Sequence, residues 1–342
     1  MHNCCFMKNF RQNWIIFIIV IGLLLVITSE VIDAINSPKK EIPSLDTEGW
    51  TAPSLYTDRT LEGEERELVI YGEELIANTS RYLGPNGSVA HITNGMNCQN
   101  CHLNAGRKAW GNNYGAVAAN YPKFRDRSGT IESVFKRVSD CMERSLNGTA
   151  LDSNAHEMKA MIAYIKWVGH AVEKDSTPKS SGIKPPEYLD RAASPEKGLA
   201  VYTAKCQSCH GANGEGQMAA DGRSYTYPPL WGEHSYNSGA GLFRLSRFAG
   251  YVRDNMPFNQ ASHKNPALTD EECWDVAAFV NSRPRPSKDL SKDWPNISKK
   301  PIDHPFGPYT DGFSEAQHKF GPFPPIIEAR KKQEKAKAIS KS

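Results

Sequence analysis

The pentapeptide CQNCH at Cys98–His102 recurs as CQSCH at Cys206–His210, and no other feature of this 342-residue chain restricts its fold as tightly. Two cysteines spaced by two residues and followed by histidine form a c-type haem attachment site. The thiols bond the macrocycle, and the adjacent imidazole takes the proximal position on iron. The competing readings of a CxxC pair are a redox disulfide and half of a zinc site. Cysteine and histidine are scarce, at eight and ten residues, so a chance CxxCH arises about once in two hundred such chains. Two copies are far rarer. The chain is therefore expected to carry two covalently bound heme c groups, anchored by Cys98 and Cys101 and by Cys206 and Cys209, with His102 and His210 as iron ligands.

The surroundings of the motif repeat too. A helix from Glu64 places Leu68, Tyr71, Leu75 and Ile76 on one face before Gly84 and Pro85 stop it. After the first motif, helices are expected over about 130–145 and 154–170, the latter with Met158, Met161, Ile162, Ile165 and Val168 at core spacing. In the second half the order returns, with helices near 194–203, 241–255 and 269–281. The fold class implied is all-α: two tandem class I cytochrome c-like domains over 64–174 and 191–285, joined by a Pro- and Lys-rich linker at 175–190. Residues 286–327, rich in Pro and aromatics, are expected to pack extended across the domains. Residues 328–342 read as a solvated basic tail, and 35–63 as a polar linker.

At the N-terminus Lys8 and Arg11 precede an apolar run, Trp14–Ile27, broken only by Gly22. A basic segment before such a run is an export signal. Residues 1–34 are then either cleaved after Ala34, leaving a soluble periplasmic protein, or retained through 14–28 as a single-span inner-membrane anchor. Cys4 and Cys5 precede the run and serve neither haem nor lipid attachment. The remainder, 39% hydrophobic and 23% charged, is that of a folded globular protein. A net charge of +3 excludes a nucleic-acid binder that works by bulk charge.

The sixth iron ligand decides what each haem does, because methionine opposite histidine raises the potential and thiolate lowers it. In the second half Met256, in RDNMPFN at a helix end, is the expected ligand, with Met218, His234 and His263 as weaker rivals. In the first half the helix IESVFKRVSDCMERS puts Ile131, Val134, Val138 and Met142 on one stripe, and Arg137, Cys141 and Ser145 on the next. Periodicity leaves Cys141 and Met142 both open. Cys273, in DEECWDVAAFV, reads as a small core residue.

The segments YGEELIANTSRYLGP, NCQNCHLNAG, YPKFRDRSG, RVSDCMERSLNG, NMPFN and HPFGPYTDGFSEAQHKFGPF together resemble the di-haem thiosulfate dehydrogenase family, over about 71–325. The resemblance implies interconversion of thiosulfate and tetrathionate. It assigns Cys141 as distal ligand of the first haem and Arg137 and Ser145 to the substrate pocket. Some relatives place a ligand-switching lysine before the methionine of the second haem; here that position is Asn255. Joining two thiosulfate dianions needs positive charge, and residues 107–145 hold eight basic residues against four acidic ones. The implied electron partner is an external electron-transfer protein or a quinol-linked cytochrome. The alternative is a plain di-haem electron carrier with Met142 on the first iron.

Overall fold

The helices begin where side chains can satisfy their first free amides. Ser133 accepts from the amide of Lys136 to open α2, Ser194 accepts from that of Lys197 to open α4, and Thr269 and Glu272 cap α6 reciprocally. In the computed structural model, which describes residues 50–339, the long helices are α1 (Gly63–Ala77), α2 (Val134–Arg144), α3 (His156–Val168), α4 (Pro195–Lys205), α5 (Leu245–Asn255), α6 (Asp270–Asn281) and α7 (Pro324–Ile339). Residues 1–34, expected to direct export or to anchor the chain through 14–28, lie outside the described residues, and Cys4 and Cys5 with them. Among the described residues no helix is long and apolar enough to cross a membrane. The rest is loop, short helical turns and two small antiparallel hairpins: β1 (Lys123–Arg125) with β2 (Thr130–Glu132), and β3 (Gln217–Met218) with β4 (Tyr225–Tyr227). The fold is all-α, as the sequence implies.

Each half is framed by its first long helix crossing its last. α1 crosses α3 and α4 crosses α6. At both crossings a glycine lets two backbones meet: a Cβ on Gly72 would lie 2.1 Å from the carbonyl oxygen of Ala160, and one on Gly198 would lie 1.9 Å from that of Asp275. Around the first crossing Val69, Leu75 and Ile76 pack with Met158, Met161, Tyr164 and Ile165. Around the second, Tyr202, Trp274, Phe279 and Cys273 form the core, closed by Phe323 and Ile326 from the far end of the chain. The described residues form one compact unit. The stretch 175–190 is accordingly pinned rather than loose: the carbonyl of Ser180 accepts from the Trp110 amide and the Asn113 side chain, and that of Ile183 from Arg247.

Three expectations need correction. The helix expected from 130 starts at Val134, because Thr130-Ile131-Glu132 pairs as β2 and Ser133 caps the helix after it. Ile131 is consequently 73% exposed rather than on the core stripe. The segment 286–327 is not extended throughout: Ser314 caps a short helix over Glu315–Phe320. The basic tail is helical through Ile339, since Pro324 and Pro325 suit a first helical turn and the following Glu, Ala, Arg and Lys residues are strong helix formers.

In an exposed helix a Gly→Ala change gains up to about 1 kcal/mol. At Gly72 or Gly198 it should instead cost about 1–3 kcal/mol by overpacking, read as a lower midpoint in urea unfolding. A midpoint unchanged or raised in both variants would contradict the crossing geometry.

Candidate functional site

The two CxxCH loops hang from the ends of the first helices of their halves. In the first, the hydroxyl of Thr79, just beyond α1, donates to the Leu75 carbonyl and accepts from the Cys98 amide at 3.0 Å, while the Gln99 side chain donates to the Ala77 carbonyl. His102 then projects with Nδ1 against the Asn112 carbonyl at 2.5 Å, and its ring packs on Tyr114, centroids 4.6 Å apart. In the second, Cys206 ends α4 and the Nδ1 of His210 meets the Pro228 carbonyl at 2.8 Å. A carbonyl on Nδ1 holds the tautomer that leaves Nε2 as a free donor for a metal. Burial pushes the His102 imidazole down to about 4 and lowers that of His210, so both are neutral, as iron ligation requires.

The four motif cysteines are free and half-buried. Burial pushes the thiol of Cys98 up to about 11 and those of Cys101 and Cys206 up to about 12. Among the described residues no group of three or more His, Cys, Asp or Glu side chains is placed to hold a metal ion. Paired thiols beside a histidine with a free Nε2 in an apolar wall are the donor set of a covalently held haem.

α2 brings Arg137, Cys141 and Ser145 along one side. Cys141 lies within electrostatic reach of Cys98, Cys101 and Tyr114, which places it near the CQNCH loop. Met142, one residue on, is 1% exposed in the core of the first half. Of the two side chains that periodicity leaves open, Met142 is buried in the core of the first half, which also packs against Cys98, and Cys141 is half-buried. The Arg137 guanidinium holds its proton more tightly than usual, chiefly because of Cys141 beside it. Ser145 closes α2, its amide donating to the Cys141 carbonyl at 2.8 Å.

In the second half Met256 follows the last residue of α5 and is half-buried against Leu103, Ile183 and Tyr251. Its rivals point elsewhere. Met218 and His234 are exposed, and His263 stacks on Trp110 at 3.5 Å with Nδ1 on Asp254.

The basic stretch around the first haem loop is partly spent on ion pairs. Arg107 pairs with Glu73, Arg127 and Lys136 with Asp140, and Arg144 with Asp293 through two contacts of 2.8 Å. Arg125 pairs with Glu132 at 3.9 Å, and Lys123, Arg137 and Tyr121 lie within electrostatic reach of that pair. Sequence reasoning missed Glu132 and Tyr121, and the orienting carbonyls of Asn112 and Pro228. For the hairpin a signal existed: KFR and TIE flank a turn, DRSG, ending in glycine.

Comparison with known proteins places both halves among the cytochromes c. Residues 88–172 match the family described as SoxA/TsdA, cytochrome c domain, and residues 195–284 match Cytochrome c. The chain is 37% identical over 209 residues to the thiosulfate dehydrogenase of Psychrobacter arcticus, an alignment covering 60% of this chain and 62% of that protein. It is 36% identical over 229 residues to that of Allochromatium vinosum, covering 66% and 81%. A solved structure of the thiosulfate dehydrogenase (TsdBA) from Marichromatium purpuratum, as isolated, matches with a TM-score of 0.62 at 30% identity, covering 69% of this chain and 50% of that chain. The chain thus spans less than two thirds of the Psychrobacter relative and half of the solved chain. Two matched cytochrome c domains, each with a complete CxxCH donor set, make the cofactors two covalently bound haem c.

Replacing Cys206 and Cys209 together by alanine should halve the haem content from two to one per chain by pyridine haemochrome assay. Two haems retained would contradict the attachment sites.

Proposed function

Because the chain belongs to the thiosulfate dehydrogenase family, we propose that it is a periplasmic oxidoreductase that interconverts thiosulfate and tetrathionate at the Cys141 site. The observation that carries this reading is the meeting of a half-buried thiol, Cys141, with a guanidinium, Arg137, beside the first CxxCH loop. Bound haem c, held by His102 and Cys141 at the first site and by His210 and Met256 at the second, would supply two one-electron acceptors leading to an external electron-transfer protein or a quinol-linked cytochrome.

The chain's own residues meet the difficulty of the reaction, which is to bring two dianions together. Arg137 offers a forked pair of donors to sulfonate oxygens, and Ser145, one turn beyond Cys141, offers a hydroxyl to the same space. The Cys141 thiolate bonds the terminal sulfur of one thiosulfate as two electrons leave, giving Cys–S–S–SO3⁻. A second thiosulfate attacks the sulfur bonded to that sulfonate. The Cys–S bond to it breaks, tetrathionate departs with its two negative charges, and the thiolate returns. No proton is transferred in either step. Reduction of tetrathionate is the same sequence reversed.

The Cys141→Gly variant should keep two haem c per chain and lose thiosulfate-dependent electron release by at least about a hundredfold, the scale of losing a covalent nucleophile. Undiminished turnover in that variant would refute the assignment. Arg137→Gln should raise KM for thiosulfate by about tenfold or more, the value of a charge-assisted hydrogen bond; an unchanged KM would remove Arg137 from the pocket.

A further inference from the structure

The hairpin beside Arg137 is built inside out. Successive strand residues face opposite sides, and the register sets Phe124 opposite Ile131 and Lys123 opposite Glu132. The apolar pair faces solvent, 60% and 73% exposed, whereas Glu132 is 1% exposed and Lys123 and Arg125 are half-buried. Turning charge inward and Phe and Ile outward opposes the hydrophobic effect and the cost of desolvating charge, so the inward face serves something other than packing. Neither carboxylate oxygen of Glu132 has a hydrogen-bond partner, and Arg125 Nε stands 3.9 Å away, beyond hydrogen-bond length. Arg137 and Tyr121 both feel the Glu132 charge, and Tyr121 also feels Cys141. The inward face of the hairpin and Cys141 therefore lie within electrostatic reach of the same side chains, Arg137 and Tyr121.

We propose that Glu132 is the resident counter-anion of this pocket, balancing Arg125 and Arg137 while the pocket is empty and ceding both guanidiniums to a sulfur-oxyanion dianion of the thiosulfate class when one binds. The proposal rests on reading the Cys141 site as a thiosulfate site. A carboxylate that makes no hydrogen bonds holds the arginines by charge alone, so sulfonate oxygens, which accept forked hydrogen bonds, outcompete it. The same negative charge weakens the grip on dianionic product, which must leave before the next turnover. Glu132 is a positioning residue, acting through the two arginines.

The test uses the haem-loaded protein, with binding of sulfate, a non-reacting dianion, measured by titration calorimetry at low ionic strength. Glu132→Gln removes one negative charge at nearly constant shape. It should lower the sulfate Kd and the thiosulfate KM about tenfold, the size expected for one charge at short range in a partly screened pocket, and lower kcat as product release slows. Arg125→Gln should raise both constants by a similar factor. A sulfate Kd and KM that stay put or rise in Glu132→Gln, with thermal stability alone affected, would overturn the proposal. If that variant fails to fold, an unmoved sulfate Kd in Arg125→Gln overturns it instead. A parent protein inert toward both sulfur anions would refute the thiosulfate reading, and the sulfate titrations would still decide the role of Glu132.

Discussion

Everything at the two haem sites depends on a backbone-to-backbone helix crossing made twice, at Gly72 against Ala160 and at Gly198 against Asp275. A side chain at either glycine would force the helices apart, and the cores on both sides close around that short distance. The crossing fixes where the first helix of each half ends, and the CxxCH loop is tied to that end. In the first half Thr79 and Gln99 make the tie; in the second the Tyr202 hydroxyl, on α4, donates to the Gly211 carbonyl at 2.6 Å. Thiols and imidazoles are then aimed by a frame that contains none of them.

The helix carrying the proposed chemistry, α2, is clamped from outside its own half. Asn237 donates to the Glu143 carbonyl and the Asn147 side chain, and Asp293, from the C-terminal segment, takes Arg144 in a two-point contact. Near the second site the Tyr251 hydroxyl, on the helix that leads to Met256, donates at 3.0 Å to the carbonyl of Asn100, inside the first CxxCH loop. Asn255 reaches back to the Trp110 carbonyl. The residue before Met256 is thus anchored to the first half, and the two sites belong to one compact unit.

Much of this was legible in the sequence, for identifiable reasons. The paired motifs declared the haem sites because covalent attachment needs those residues at that spacing. Core periodicity revealed α3 because Met158, Met161, Ile165 and Val168 meet no competing signal. Periodicity does not separate Cys141 from Met142, since neighbouring residues lie on adjoining stripes and either can face a haem; only the family resemblance points to Cys141. The first hairpin was hidden because Ile131 continued the helical stripe of Val134, Val138 and Met142 in phase. The basic stretch around the first loop looked more open than it is, because Glu73 and Asp293, which neutralise Arg107 and Arg144, come from distant parts of the chain. Glu132 gave no signal as one acidic residue among many bases; its meaning lies in where the strand turns it.

The central claim is the proposal that this chain makes and breaks the sulfur–sulfur bond of tetrathionate at one half-buried thiol flanked by arginine. Film voltammetry of the intact di-haem protein tests it most directly. The account predicts a catalytic current that appears with thiosulfate at oxidising potentials or with tetrathionate at reducing potentials, on top of two non-catalytic haem waves. Two haem waves unaltered by either sulfur anion would mark the protein as an electron carrier and contradict the account.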